Sequence, residues 1–291
     1  MKLARFTYQD TIWLGLVDVG AGTIDCLVKQ QGDEDLVIRF INASQEGHRA
    51  QTAQVTLPIS DVQLLPPIET PSKNIICIGK NYVDHAYEFA ASGYDTSVKD
   101  QGEVVPDALI VFSKAAGTMI GAFDDINPPW ALSKQIDYEA ELAVVIGRRG
   151  RNIARKDAYD HIWGYTVIND VSARDLQSRH RQWFLGKSID TFCPIGPWLV
   201  SADEVDPSNL EVSCWVNGEL RQHANTRDLI FDIPTILSTL SASMTLCVGD
   251  IIATGTPAGV GVGYNPPRFL KPGDTVRIAI ESIGEIENTL R

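Results

Sequence analysis

From Asn74 onward the chain is a succession of short apolar runs separated by turn residues: "NIICIG", "ALIVFSK", "EAELAVVIG", "WGYTVIND", "GPWLVS", "LEVSCWVNG", "DIIATG" and "DTVRIAIESIG". Runs of about 4–8 residues, rich in β-branched side chains and bounded by Gly, Asn or Asp, predict β-strands. Helical signals are fewer. One helix is expected through His85 and Glu88, and another at "FDIPTILSTLSASM", where Asp232 suits the N-cap and Pro234 the first turn. Strands and helices do not alternate regularly, which disfavours a doubly wound parallel sheet. The pattern predicts an α+β protein that is mainly β.

Residues 1 to about 70 read differently. Strand-like runs such as "TIWLGLVDV" and "DLVIRFI" alternate with Gly- and Asp-containing turns, and then "LLPPIETPSKN" carries Pro66, Pro67 and Pro71. Proline fixes φ and resists both helix and central strand, so this stretch reads as a linker. The expected division is a small β-rich N-terminal domain over 1–70 and a larger domain over 71–291. The segment 89–107 is polar, contains glycine and is long for a loop; loops of this length are either lids or merely disordered.

Composition narrows the function classes. The net charge of −12 argues against nucleic acid or an anionic membrane as partner, though a local site can invert the global sign for a small anionic substrate. No run approaches 18 apolar residues, and "MKLARFTYQD" lacks the apolar centre of a signal peptide, so a cytoplasmic protein is expected. The cysteines are scattered and odd in number, with no CxxC pair, so neither a disulfide framework nor a zinc site is expected. Cys193 has the most polar neighbours, but no histidine is placed near it in sequence to activate it.

Candidate chemistry begins at "IDYEAELAVVIG". Asp137, Glu139 and Glu141 occupy alternate positions, so in a strand they share one face. Such a row is either a solvated strand edge or a site for a divalent cation that relieves the repulsion. Asp170 closes "WGYTVIND", as a strand-end turn residue or as a carboxylate converging on the same point. An all-oxygen site would favour Mg²⁺, Mn²⁺ or Ca²⁺ over zinc or copper. His85 and Glu88, three apart, share a helical face, as a surface ion pair or as a histidine base oriented by a carboxylate. Lys187, Arg174 and Gln177 supply positive charge and donors. The glycines of "ATGTPAGVGVG" let backbone N–H groups approach a ligand oxygen, with the Thr256 hydroxyl beside them. It is not a Walker loop, and no G-x-S-x-G elbow is present.

Taken together, "IGKNYVDHAYE", "DYEAELAVVIG", "GYTVINDVSARDLQ", "GKSIDTFCPIGP", "VNGELRQ" and "GDIIATGTPAGVGVG" resemble the fumarylacetoacetate hydrolase family, in order from Lys73 to the C-terminus. The resemblance implies a mixed β-sandwich roll, a Mg²⁺ or Mn²⁺ site and a homodimer. It implies Glu139, Glu141 and Asp170 as metal ligands, and His85 and Glu88 as the catalytic dyad. Lys187, Gln177 and Thr256 fall where the family contacts substrate, and Arg174 lies in the same motif. Many relatives carry arginine just before the "NY" of the histidine motif. Here Lys80 keeps the charge but not the planar bidentate fork. Asp137 shares the face of the acids and is expected beside the ligands, orienting a water or pairing with Lys187.

The activity implied is hydrolysis of a C–C bond in a 2,4-dioxo acid of the acylpyruvate type. His85 takes a proton from water and Lys187 stabilises the oxyanion. The alternative is a 2-oxo acid decarboxylase, of the oxaloacetate type, or an isomerase on the same scaffold, where enolate stabilisation suffices. A binding protein that kept the fold without turnover is the third class.

Overall fold

The computed structural model describes residues 1–45, 55–95 and 104–291. The N-terminal part contributes β1 (Lys2–Tyr8), β2 (Thr11–Asp18), β3 (Thr23–Lys29), α1 (Leu36–Gln45), β4 (Val55–Pro58) and β5 (Gln63–Leu64). After the proline stretch come β6 (Ile75–Gly79), α2 (Val83–Ala91), β7 (Ile110–Lys114), β8 (Met119–Ile120), β9 (Ile136–Asp137), β10 (Ala140–Ile146) and β11 (Ile162–Asn169). The chain continues through β12 (Ser172–Ala173), α3 (Arg174–Arg179), α4 (Phe184–Lys187), β13 (Cys193–Ser201), β14 (Glu211–Val216) and β15 (Glu219–Asn225). It closes with α5 (Ile233–Ser243), β16 (Ile251–Ala253), β17 (Thr275–Ile280) and β18 (Gly284–Thr289).

Each apolar run from Asn74 onward forms its strand. A large mixed sheet runs in the order β4-β3-β2-β1-β13-β11-β10-β16-β6-β7, and a second sheet in the order β15-β14-β17-β18 packs on it. The fold is mostly β. Strand β10 lies at the centre of the main sheet, covered on both faces, which explains its unbroken apolar run. Leu142, Val144 and Ile146 enter the core shared with Val212, Cys214 and Val216 of β14 and Val276 and Ile278 of β17. Ala143 and Val145 point the other way, into a core with Leu36, Val37 and Ile41 of α1.

The run "DLVIRFI" is helix rather than strand. Asp35 caps it: its Oδ1 accepts from Val37 N at 2.9 Å and Ile38 N at 3.0 Å. Capping of this kind satisfies amide groups that a strand would have to pair elsewhere. Asp35 Oδ2 also accepts from Glu69 N at 2.7 Å, so the cap ties the proline stretch to the helix. At the second expected helix, Asp232 Oδ1 accepts from Thr235 N at 2.9 Å, and Pro234 sits in the first turn of α5. The N-terminal strands extend the main sheet, with Lys2 opposite Val200 and Leu3 opposite Leu199 across β1 and β13. Among the described residues no helix is long and apolar enough to cross a membrane. Of the proposed lid, residues 89–91 finish α2, and 96–103 lie outside the described residues.

Candidate metal centre

The register of the two central strands builds the site. Strands β10 and β11 pair antiparallel, with Ala140 opposite Asn169 and Glu141 opposite Ile168. One step further, Asp170 N donates to Glu139 O at 2.9 Å, which sets Asp170 beside Glu139. Glu139, Glu141 and Asp170 are all buried, and each offers an oxygen within 4.8 Å of the others.

The charges around them are unequal. Lys187 Nζ donates to Glu139 Oε2 at 2.6 Å and to Asp170 Oδ2 at 2.8 Å. Arg174 Nη1 lies 2.7 Å from Glu139 Oε1. Burial would raise the Glu139 carboxyl, but Lys187 and then Arg174 hold it down at about 2. Among the described residues no cation pairs with Glu141 directly. Its Oε2 accepts from Gly255 N at 2.7 Å, while burial and the charges of Asp170 and Glu139 push it well above the usual carboxylate range. A buried carboxylate with no bonded cation among the described residues, beside two further buried carboxylates, fits a divalent cation held by hard oxygen donors. The donor set of Glu139, Glu141 and Asp170 therefore suits a hard divalent cation such as Mg²⁺ or Mn²⁺.

Lys114 was not foreseen as part of this centre. It ends β7, is fully buried, and reaches Asp170 Oδ1 at 2.7 Å while donating to Val171 O at 2.9 Å and Lys187 O at 2.5 Å. A lysine closing a strand usually faces solvent, so the run "ALIVFSK" carries no signal of its role.

Asp137 does not pair with Lys187. The chain leaves regular strand geometry between β9 and β10, so Asp137 is displaced from the row of acids. It receives Arg174 Nε at 2.8 Å, Gly261 N at 2.6 Å and Val262 N at 3.0 Å. Its function in the fold is to hold the Arg174 guanidinium against Glu139.

The glycine loop also differs from the expectation. Its amides serve the protein's own carboxylates: Gly255 donates to Glu141, Gly261 and Val262 to Asp137, and Gly259 to both oxygens of Glu88 at 3.0 and 3.1 Å. Gly259 has φ +102°, and a Cβ there would lie 1.9 Å from Arg221 O, so only glycine brings this amide to Glu88. Thr256 Oγ1 accepts from Gln222 Nε2 at 2.8 Å, and Gln222 Oε1 accepts from Ala140 N at 3.0 Å, between the two glutamates.

On α2, His85 Nδ1 lies 3.4 Å from Glu88 Oε2. His85, Lys80, Arg174, Gln177, Lys187 and Thr256 line one cavity of about 290 Å³ together with Glu139 and Glu141. Phe89, Phe112 and Trp183 form its apolar wall. Trp183 meets Phe112 and Phe89 edge-on, at centroid distances of 5.1 and 6.2 Å. Gly79 makes room for it, since a Cβ there would lie 2.6 Å from the indole. Cys193 lies in the apolar core, and burial pushes its thiol up to about 12, so it has no part in the site.

The family profile for the fumarylacetoacetate (FAA) hydrolase C-terminal region matches residues 74–291. The chain belongs to the fumarylacetoacetate hydrolase family. A second profile, the Rv2993c-like N-terminal region, matches residues 1–67. Oxaloacetate tautomerase YisK of Bacillus subtilis is 50% identical over 80% of this chain and 74% of its own length. The solved structure of a fumarylacetoacetate hydrolase from psychrophilic Exiguobacterium antarcticum superposes with a TM-score of 0.84 at 39% identity, covering 100% of this chain and 99% of that one. The maleylpyruvate hydrolase of Sphingobium sp. SYK-6, solved with manganese(II) and pyruvate, superposes at 0.77 with 33% identity, covering 100% and 98%. Proteins of this family are enzymes, and the buried acidic triad of this chain has the donors to suit a divalent cation.

Proposed function

We propose that this family member is a divalent-metal-dependent oxaloacetate tautomerase, interconverting the enol and keto forms of a small dicarboxylic 2-oxo acid. The reading rests on one arrangement. Glu139 and Glu141 of the carboxylate triad and His85 of the His–Glu pair line the same cavity, together with Lys80 and Arg174. Relatives named oxaloacetate tautomerases, at 50% and 48% identity, support the same substrate class.

Glu139, Glu141 and Asp170 would hold a divalent cation such as Mg²⁺ or Mn²⁺, which would supply positive charge that stabilises an enolate. Tautomerisation removes a proton from the enol oxygen on C2 and adds one at C3, so no water is consumed. Glu88 orients the His85 ring through Nδ1, leaving Nε2 to exchange the proton with substrate. The Gly259 amide keeps Glu88 in place. Lys187 and Arg174 keep Glu139 ionised, and Lys187 offers positive charge to the developing enolate oxygen. Phe89, Phe112 and Trp183 restrict water, which protects the enolate from stray protonation.

Hydrolysis of a C–C bond in an acylpyruvate, with Glu88 and His85 activating water, is the second reading. The structural neighbour named a maleylpyruvate hydrolase favours it. The test measures both activities on one preparation at saturating Mg²⁺. The absorbance of enol-oxaloacetate follows tautomerisation, and a coupled assay follows pyruvate release from acetylpyruvate. Acceleration of enol decay without pyruvate release is expected. Pyruvate release from acetylpyruvate with no acceleration of the keto–enol exchange would replace the tautomerase by the hydrolase.

A further inference from the structure

We propose that Gln222 is a positioning residue. It fixes the Thr256 hydroxyl as a donor, so that the hydroxyl hydrogen serves a carboxylate or enolate oxygen of the ligand. This deepens the reading of the site as one for 2-oxo acids and rests on it.

The motif "VNGELRQ" brings Gln222 inward. Val216 ends β14 and Glu219 opens β15, and the two residues between them, Asn217 and Gly218, sit at φ +52° and +79°. Positive φ at both positions marks the type I′ hairpin that Asn-Gly favours, and this turn sets the register of the two strands. Trp215 pairs with Leu220 and Cys214 with Gln222, so Arg221 is an extra residue in the ladder. A bulge of this kind re-aims the side chain beside it. Strand β15 is the edge of its sheet, with Glu219, Leu220 and His223 exposed, yet Gln222 is fully buried.

Two backbone groups decide how its carboxamide lies. Ala140 N can only donate, and it donates to Gln222 Oε1 at 3.0 Å. Pro257 O can only accept, and Gln222 Nε2 donates to it at 2.8 Å. Turning the amide over would set donor against donor and acceptor against acceptor. The second hydrogen of Nε2 therefore goes to Thr256 Oγ1, at 2.8 Å. A hydroxyl that accepts there keeps its own hydrogen for another partner, and among the described residues no oxygen accepts it. Thr256 is 2% exposed and lines the cavity with Glu139, Glu141, His85 and Lys187, whereas Gln222 does not line it. The backbone before Thr256 is held as well. Thr254 N and Oγ1 donate to Leu142 O at 3.0 and 2.9 Å, and Gly255 N donates to Glu141 Oε2. The Thr256 oxygen thus has a fixed place relative to the triad, and Gln222 settles the rotation about its C–O bond. A donor oriented before the ligand arrives costs no reorganisation when an anionic oxygen binds.

The probe is oxalate, which matches a pyruvate enolate in charge and adjacent oxygens and undergoes no keto–enol exchange. Calorimetric titrations of the Mn²⁺-loaded protein are expected to show oxalate binding. Thr256→Val removes the donor and should weaken oxalate by about 10–100-fold, the loss of a hydrogen bond to a charged group. Thr256→Ser keeps the hydroxyl and should stay within about threefold. Gln222→Met gives the hydroxyl three staggered settings in place of one and should weaken oxalate by about threefold or more. In the Thr256→Val background the same change should leave oxalate unaltered, since Gln222 acts through that hydroxyl. Mn²⁺ affinity should hold in every variant. Equal effects of Gln222→Met in the two backgrounds, oxalate and Mn²⁺ affinities falling together, or a wild type that does not bind oxalate would each overturn the proposal. A neutron structure of the wild type with Mn²⁺ and oxalate reads the hydroxyl without any substitution, should Gln222→Met not fold. The deuteron on Thr256 Oγ1 is expected to point at oxalate, and one pointing at Gln222 would overturn the proposal. Absence of keto–enol acceleration with oxaloacetate would instead remove the tautomerase reading and leave the oxalate comparison standing.

Discussion

Lys114 Nζ lies 2.7 Å from Asp170 Oδ1, and both side chains are fully buried. Lys187 takes the second oxygen of the same carboxylate at 2.8 Å. Asp170 is thus held and oriented by two lysines from different parts of the chain. Removing one partner of a buried ion pair costs about 3–5 kcal/mol, because a charge is left uncompensated. Lys114→Met should lose roughly that stability in urea denaturation of the metal-free protein. Saturating Mn²⁺ should restore part of it, since the cation compensates Asp170. A loss that Mn²⁺ leaves unchanged would count against a cation at this carboxylate.

Glu141 and Glu139 predict opposite pH dependences. Glu141 is raised in the fold above its ordinary 4.5, so the native state binds more protons than the unfolded state between 4.5 and the raised value. Stability of the metal-free protein is lost as pH rises through that window. Glu139, lowered to about 2, contributes stability above 4.5 that is lost as pH falls toward 2. Glu141→Gln should flatten the loss above 4.5 and keep the acid limb. Denaturation midpoints measured in EDTA across this range decide it, and an unchanged upper limb in Glu141→Gln would exclude the assignment.

Metal binding should also release a proton. The cation requires ionised Glu141, whereas burial and its carboxylate neighbours favour the protonated form in the metal-free site. Titration of Mn²⁺ in buffers of different ionisation enthalpy should report net proton release that grows as pH falls. Glu141→Gln should release none and bind Mn²⁺ more weakly while remaining folded.

His85→Ala removes the group that exchanges the proton with substrate. A loss of about 10²–10⁴-fold in kcat is expected, with KM and Mn²⁺ affinity little changed, because the carboxylates are untouched. Glu88→Gln should act in the same direction more weakly, as the imidazole stays. Steady-state enol decay for both variants is the measurement. A wild-type rate in His85→Ala would remove it from the proton path.

Gly259→Ala places a Cβ 1.9 Å from Arg221 O at a φ of +102°. The loop must shift, and its amide leaves Glu88. The kcat should fall toward that of Glu88→Gln, with Mn²⁺ affinity retained. Calorimetry and enol decay together separate this from general unfolding, which would abolish both.

The apolar runs from Asn74 onward determined the central strands, because β10 and its neighbours are covered on both faces and any polar interruption would be buried. The alternate acids at 139 and 141, with Asp170 at the end of the next strand, were legible for the same reason. Antiparallel pairing brings the start of one strand to the end of the next, and a cluster of acids there needs a counter-ion. The helical spacing of His85 and Glu88 is likewise local. Residues whose partners are distant in sequence were not legible. Lys114 reads as the end of an ordinary strand until β7 is set against the α4 turn and Asp170. Asp137 reads as a fourth acid beside the ligands until the irregular step between β9 and β10 turns it to Arg174. The glycine loop reads as a ligand cradle, and only packing reveals that its amides are taken by Glu141, Asp137 and Glu88. In α1 the apolar run fits strand or helix equally, and the cap at Asp35, itself anchored to Glu69, decided for the helix. Spacing along the chain sets which side chains share a face, whereas the compensation of each buried charge is settled by segments that meet only when the chain folds.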